Sequence, residues 1–285
     1  MTAKAMGLGR RSLYLDVYGH EIHVTEWGAV DAPALVMWHG LARTGRDFDT
    51  VARYFSSRYR VICPDTIGRG LSSWSALPDR DYTLESYADH AVSILDQLGV
   101  ETCLWLGTSM GGLLGMVLAA GRLKRRIQRL IINDIGPRPN PAAVTRIRAY
   151  VTARPSFADM RELESFLRQI YLPFGELSDH EWRVMADTSA RRRDDGRITV
   201  HYDPEIMRVF ADQPDNQHYW PVWDGINCPT LVLRGEASDV LLPEVAEEMT
   251  RRGPGAQLVI VPGCGHAPFL NRSSQIDVVE RFFSL

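Results

Sequence analysis

None of the four cysteines, Cys63, Cys103, Cys228 and Cys264, stands in a C-x-x-C spacing, and Cys63 and Cys103 lie inside apolar, strand-like runs. This scatter argues against a disulfide framework or a thiolate metal knuckle and makes buried, reduced thiols the expectation. No G-x-G-x-x-G follows a predicted strand, no phosphate loop is present, and His20 and His23 have no third ligand nearby in sequence, so no nucleotide or metal cofactor is expected. Long hydrophobic runs are missing too. After Arg10-Arg11 the stretch SLYLDVYGHEIHV is broken by Asp16, His20, Glu21 and His23, which is neither a signal-peptide core nor a membrane span, and a cytoplasmic address is the expectation. An excess of one charge is also absent. A net charge of −3 over 285 residues gives no electrostatic reason to expect nucleic acid or an anionic membrane as a partner, so a small-molecule substrate fits better. Oligomeric state is not legible at this level.

What is present is enough apolar material for a sizeable core, with 45% hydrophobic and 24% charged residues. Eight short runs rich in β-branched and aromatic residues are bounded by turn residues: LYLDVYG, EIHVTEWG, ALVMWHG, YRVICPD, CLWLGTS, RLIINDIG, TLVLRGE and QLVIVPG. The last six lack clean alternation, as strands buried on both faces do in parallel sheets. The first two alternate and read as an antiparallel edge hairpin joined at Gly19-His20. Helical patterns at roughly 45–56, 83–99, 110–122, 243–252 and 274–283 alternate with the strands, which predicts a doubly wound α/β sheet. Between Ile135 and Asn227 the alternation fails, and amphipathic helical stretches appear without a convincing buried strand. The expected organisation is therefore a core of residues 1–135 and 228–285 with a helical cap inserted over 136–227.

The stretch LWLGTSMGGLLGM places Ser109 after an apolar strand and before a helix of small residues, with Gly107 and Gly111 on either side. A sharp strand-to-helix turn needs small neighbours, because a Cβ at either glycine would crowd the turned backbone. Such a turn exposes the hydroxyl at a helix N-terminus, where partial positive charge favours a developing anion. A plain serine N-cap is the alternative, and the G-x-S-x-G context favours a nucleophile. A serine hydroxyl needs a base, and LVIVPGCGHAPFL supplies His266 in a glycine-rich turn after a late strand. The histidine needs a carboxylate. Asp239, in TLVLRGEASDVLLP just before the histidine's strand, is favoured by that position and by the Ser, Asp, His order; Asp134 in IINDIG is the rival, read more easily as a turn into the cap. The oxyanion site needs two backbone amides, expected from Met110 after the nucleophile and from Leu41 in LVMWHGLARTG, with His39 taken as structural.

The segments WHGLARTGRDF, PDTIGRGLSS, GTSMGG, NDIGP, LRGEASDV and GCGHAPFL resemble, in order and across nearly the whole chain, the successive signatures of the α/β-hydrolase superfamily. The resemblance implies an eight-stranded, mostly parallel sheet with a lid after strand six and an esterase-like mechanism. In the family's pattern the nucleophile falls on Ser109, the base on His266, the acid on Asp239 and the oxyanion amides on Leu41 and Met110. Asp65, Gly68, Gly70 and Ser72 match its D-x-x-G-x-G-x-S loop, read as structural support. Serine at position 109 argues against branches that use a carboxylate nucleophile. HGLA instead of HGGG argues against a lipase of bulky esters.

The expected activity is cleavage of a small, largely apolar carboxylic ester or lactone through an acyl-enzyme. An enol-lactonase or carbon–carbon bond hydrolase is the alternative within the class, and a ligand-sensing protein with vestigial turnover is the alternative outside it. Pocket residues are expected from the cap and the loop after the strand TLVLRG: Tyr150, Trp182 and Val240, with Tyr171 weighed beside the first two. No lysine lies between Gly136 and Asn227, which suggests a neutral mouth and uncharged acyl groups; a carboxylated substrate would instead need a cation, and Arg43 or Arg148 are the candidates. ARRRDDGR at 190–197 reads as a solvated helix end and loop.

Overall fold

A computed structural model describes residues 9–210 and 218–284 of the chain. In chain order the strands are β1 (Arg11–Val17), β2 (His20–Trp27), β3 (Ala34–Trp38), β4 (Arg60–Pro64), β5 (Cys103–Thr108), β6 (Ile127–Asn133), β7 (Ala190–Arg192), β8 (Ile198–Val200), β9 (Thr230–Gly235) and β10 (Gln257–Val261). The helices are α1 (Asp49–Phe55), α2 (Pro78–Asp81), α3 (Leu84–Gln97), α4 (Met110–Ala120), α5 (Pro141–Val151), α6 (Met160–Ile170), α7 (Asp179–Ser189), α8 (Trp220–Asp224), α9 (Pro243–Arg251) and α10 (Ser273–Phe283). Eight strands form one sheet in the order β1-β2-β4-β3-β5-β6-β9-β10. β2 pairs antiparallel with both β1 and β4, and from β4 to β10 every pairing is parallel.

The unalternating runs from β3 to β9 are apolar on both faces because helices cover both, whereas the edge strand β10 is only partly covered and leaves Ile260 exposed. Leu35 and Met37 of β3, Leu106 of β5, Ile131 of β6 and Leu231 and Leu233 of β9 pack with Phe55 of α1 and Val279 and Phe282 of α10. Their sequence neighbours Val36, Trp38, Trp105, Leu130, Ile132 and Val232 belong to the opposite core, with Ala91 of α3, Leu113 and Met116 of α4 and Val245 of α9. Successive residues of a strand point to opposite faces, so a strand covered on both sides leaves no polar position in its pattern. Trp38 and Trp105 stack at 5.4 Å between β3 and β5, and their indole N–H groups donate to Thr66 Oγ1 and the Gly111 carbonyl.

Two local features differ from the sequence reading. The hairpin turn is Tyr18-Gly19, one residue earlier than expected: both have positive φ (55° and 81°), the two-residue geometry whose twist suits antiparallel strands, and His20 already pairs with Val17. The segment between β6 and β9 carries helices α5 to α8 as anticipated, but also the antiparallel pair β7–β8, turning at Gly196. Its strands are three residues each, and Arg191 and Arg192 are exposed, so neither an apolar run nor clear alternation announces them. Among the described residues no helix is long and apolar enough to cross a membrane.

Candidate active site

Ser109 stands between β5 and α4 with φ 51° and ψ −117°, a positive φ rarely tolerated by a residue with a Cβ, at a cost of order 1–3 kcal/mol. Its neighbours show how that backbone is held. A Cβ on Gly107 would lie 2.0 Å from the Gly111 carbonyl oxygen, and one on Gly111 would lie 2.1 Å from that of Trp38. The glycines are there because strand, turn and helix touch backbone to backbone. The Ser109 amide donates to the Asn133 carbonyl, and the Ser109 carbonyl accepts from the amides of Gly112 and Leu113, which ties the turn to β6 and starts the helix.

The hydroxyl meets His266 across 157 positions of sequence: Ser109 Oγ and His266 Nε2 are 2.9 Å apart. His266 lies in the loop between β10 and α10, fixed by the Gly265 amide donating to the Pro173 carbonyl and by Asn133 Nδ2 donating to the Pro268 carbonyl. The other imidazole nitrogen, Nδ1, is 2.8 Å from Asp134 Oδ2. Asp134 is fully buried, and its carboxylate also accepts from the Gly235 amide at 2.8 Å and from Ser238 Oγ at 2.6 Å. A buried carboxylate with that many donors stays where it is put.

Asp134, and not Asp239, is therefore the carboxylate against the histidine. Asp239 points outward, its side chain 45% exposed, and both its oxygens accept from Arg146 at 2.9 Å. The physical reason lies in the sheet. β5 and β6 are neighbours in register, Thr108 beside Asn133, so the next residues, Ser109 and Asp134, leave the sheet side by side. The loop that carries Asp239 contributes its neighbour Ser238 instead. Chain order could not discriminate, because both aspartates fall between Ser109 and His266.

Of the two expected amide donors, Met110 directly follows Ser109 at the elbow and Leu41 lies in the loop after β3. Met110 opens α4, where first-turn amides have no intrahelical acceptor, and its side chain is buried against Arg69. Leu41 lines the cavity beside Ser109, and the adjoining Gly40 is close enough that a Cβ there would be 3.6 Å from Ser109 Cβ. This loop is held from below. His39 Nδ1 donates to the Gly40 carbonyl at 2.6 Å, and its Nε2 accepts from the Thr66 amide. Burial lowers the His39 pKa to about 4, so the ring is neutral at physiological pH. Arg69, which sequence reasoning passed over, is fully buried and donates from Nε to the Leu41 carbonyl. Asp65 accepts from the amides of Gly45 and Leu71 and from His23, while Ser72 Oγ donates to the Asp65 carbonyl, so the D-x-x-G-x-G-x-S loop is scaffold, as read.

Ser109 and His266 line one cavity. Its walls combine the Gly40–Arg43 loop with Ile147 and Tyr150 of α5, Ile170 of α6, Tyr171, Phe174 and Phe269. Tyr171, Phe174 and Phe269 form a stacked row, with centroid separations of 4.6 and 5.7 Å. Tyr150 and Tyr171 thus reach the cavity. Trp182 does not: it is buried on α7, with Arg168 of α6 over its ring. Val240 is buried in the core, its carbonyl accepting from the Asn140 amide, and is likewise not a wall residue. The lack of lysine does not leave the cavity without cations: two arginines line it, each paired with an aspartate. Arg43 is buried, bound through Nε and Nη2 to Asp47 and through Nη1 to Ser189. Burial alone would lower its pKa, but the Asp47 carboxylate outweighs that and holds it above the usual range. Arg146, which sequence reasoning missed, sits at the half-exposed rim; Arg148 lies away, in a separate groove with Arg154 and Glu205. ARRRDDGR stays at the surface, with Arg191 over Trp74 and Arg193 paired to Asp195.

An eight-stranded, mostly parallel sheet with a half-buried serine on a glycine-flanked strand-to-helix turn defines the α/β-hydrolase fold. The chain belongs to the alpha/beta hydrolase family, whose model matches residues 35–281, and it is a hydrolase. The 3-hydroxybutyrate-oligomer hydrolase of Cupriavidus necator is 39% identical over 275 residues, covering 93% of each chain. The 2-(acetamidomethylene)succinate hydrolase of Mesorhizobium japonicum is 23% identical, over 88% of this chain and 87% of its own. Among solved structures, an alpha/beta hydrolase from Novosphingobium aromaticivorans superposes with a TM-score of 0.86 at 31% identity, covering 96% of this chain and 98% of that one.

Proposed function

We propose that this protein is a serine hydrolase that cleaves short, linear esters of hydroxy acids, of the 3-hydroxybutyrate-oligomer type, with residues 136–227 serving as a cap over the core formed by 1–135 and 228–285. The observation that carries the reading is the unbroken chain of hydrogen bonds from Ser109 Oγ through His266 to the buried Asp134 carboxylate, on the wall of an aromatic-lined cavity.

In this reading His266 Nε2 takes the Ser109 proton as the oxygen attacks the ester carbonyl carbon. Negative charge develops on the carbonyl oxygen and is received by the amides of Leu41 and Met110. Asp134 keeps Nδ1 protonated, so that Nε2 is free to accept, and it stabilises the imidazolium. Collapse of the tetrahedral intermediate breaks the bond to the alcohol oxygen, which leaves with the proton from Nε2, and Ser109 retains the acyl group. Water, deprotonated by the same histidine, then attacks the acyl carbon; the bond to Ser109 Oγ breaks, His266 Nε2 returns the proton to that oxygen, and the acid is released. The stacked aromatic row and Ile147 suit methyl-bearing aliphatic chains, and the relative from C. necator, alike over 93% of both chains, supports a hydroxy-acid ester over a lactone or a carbon–carbon bond.

The test is hydrolysis of the linear dimer and trimer of 3-hydroxybutyrate, monitored by chromatography, with p-nitrophenyl butyrate as a reference ester. The parent releases monomer from both oligomers, and Ser109→Ala loses at least about a thousandfold in rate on all substrates. Turnover by the alanine variant at the parent rate defeats the mechanism. Cleavage of the nitrophenyl ester with inert oligomers defeats the substrate assignment and leaves the mechanism standing.

A further inference from the structure

A linear ester oligomer of hydroxy acids carries one free carboxylate, and it always lies on the alcohol side of the scissile bond. A substrate of this kind places an anion in the leaving-group half of the site. Two arginines line the cavity, and only one can be released to meet that anion. Arg43 is held inside the protein by a two-pronged pair with Asp47 and a third bond to Ser189, and its side chain is 6% exposed. Withdrawing Asp47 would strand a buried charge. Arg146 stands at the rim, and its partner Asp239 is nearly half exposed, so the pair is screened by water and contributes little by itself.

The pairing also displays the geometry of recognition. Arg146 Nε and Nη2 each donate to one oxygen of the Asp239 carboxylate at 2.9 Å, the parallel fork with which a guanidinium binds any carboxylate. Arg146 shares one face of α5 with Ile147 and Tyr150, which line the same cavity as Ser109. The helix is anchored at that end: Asn140 caps it by accepting from the Ala142 amide, and Asn140 Nδ2 donates to the Asp239 carbonyl at 2.9 Å. Guanidinium and aspartate are thus presented on two elements clasped together.

We infer that Arg146 is the specificity residue that binds the free carboxylate of the substrate's leaving group, and that Asp239 occupies its fork until substrate displaces it. The inference rests on the proposed ester-hydrolase activity. The exchange keeps one carboxylate on Arg146 throughout. Asp239, already half in water, is hydrated when the substrate arrives.

Two substrate pairs test it. One is the 3-hydroxybutyrate dimer against its methyl ester; the other is 3-(butyryloxy)propanoic acid against its methyl ester, which keeps the anion on the alcohol side without the oligomer. In the parent, kcat/KM favours the acid of each pair. In Arg146→Ala the acid-to-methyl-ester ratio falls tenfold or more through KM, with kcat on the acid within about threefold; Arg146→Lys recovers part of the ratio. Asp239→Asn, with the competing charge removed, raises the ratio above the parent's. An unchanged ratio in Arg146→Ala, or a ratio in Asp239→Asn at or below the parent's, overturns the inference. If the dimer pair is inert while the butyryloxy pair behaves as described, the oligomer assignment fails and the role of Arg146 stands.

Discussion

Replacing Asp134 by asparagine removes a charge and almost no volume, and the hydrogen bonds around the side chain decide the effect on catalysis. Oδ1 accepts from the Gly235 amide, so the new carboxamide oxygen is held at that position and the NH₂ group takes the place of Oδ2. There it faces His266 Nδ1, which now has to accept a hydrogen bond instead of donating one. The proton moves to Nε2, the atom that must take the Ser109 proton, and the base is lost with its position unchanged. In a serine protease with the same triad, aspartate to asparagine costs about 10⁴ in kcat, equivalent to about 5.5 kcal/mol in the barrier. Asp134→Asn should therefore lower kcat on p-nitrophenyl butyrate by about three to four orders of magnitude, with KM little changed. The paired control is Asp239→Asn. It breaks an exposed pair of the kind worth roughly 0–1 kcal/mol, and kcat on the same neutral ester should stay within about threefold. Steady-state kinetics on both variants, with circular dichroism to confirm folding, gives the answer. A loss in Asp239→Asn as large as in Asp134→Asn would rule out Asp134 as the histidine's partner, as would an Asp134→Asn variant that keeps more than a tenth of the activity.

The same geometry sets two further outcomes. The buried, neutral His39 and the buried His90 both have pKa values lowered by burial to about 4, so between pH 6.5 and 4 the unfolded chain binds protons that the folded one refuses; stability is full above pH 6.5 and declines as pH falls, with His39 alone contributing a loss of about 2 kcal/mol by pH 5. Urea unfolding at pH 7 and pH 5 checks this, and His39→Gln should show a smaller difference between the two; an equal or larger one contradicts it. Gly107→Ala forces a Cβ to 2.0 Å from the Gly111 carbonyl oxygen, so the elbow must open: activity should drop at least about a hundredfold and the melting temperature by several degrees, read by thermal scanning beside an ester assay.

Whether these features were legible in the sequence depended on whether their cause was local. The elbow was, because Gly107 meets Gly111 backbone to backbone within one turn and the motif is compressed into five residues, and so were the buried strands, whose lack of alternation records helices on both faces. His266 was found because the loop after a late strand has few competing histidines. Asp134 was not, because its role depends on β6 lying beside β5, a fact of sheet order that no spacing expresses. Arg146 escaped for a related reason. Arg148 is two residues further along α5, about 200° around a helix, so the proposed cation fell on the wrong face. Arg43 does reach the cavity, but Asp47 already holds it. The β7–β8 hairpin is short and rich in exposed arginine and gives no periodic signal at all.

Covalent acylation of Ser109 is read from the mass of the intact protein, acid-quenched during turnover of p-nitrophenyl butyrate, combined with peptide mapping. One butyryl group per chain is expected, located on Ser109 within the peptide that spans the elbow, and none in Ser109→Ala. A butyryl group on any other residue, or rapid turnover with a chain that never gains mass, would contradict acylation at Ser109.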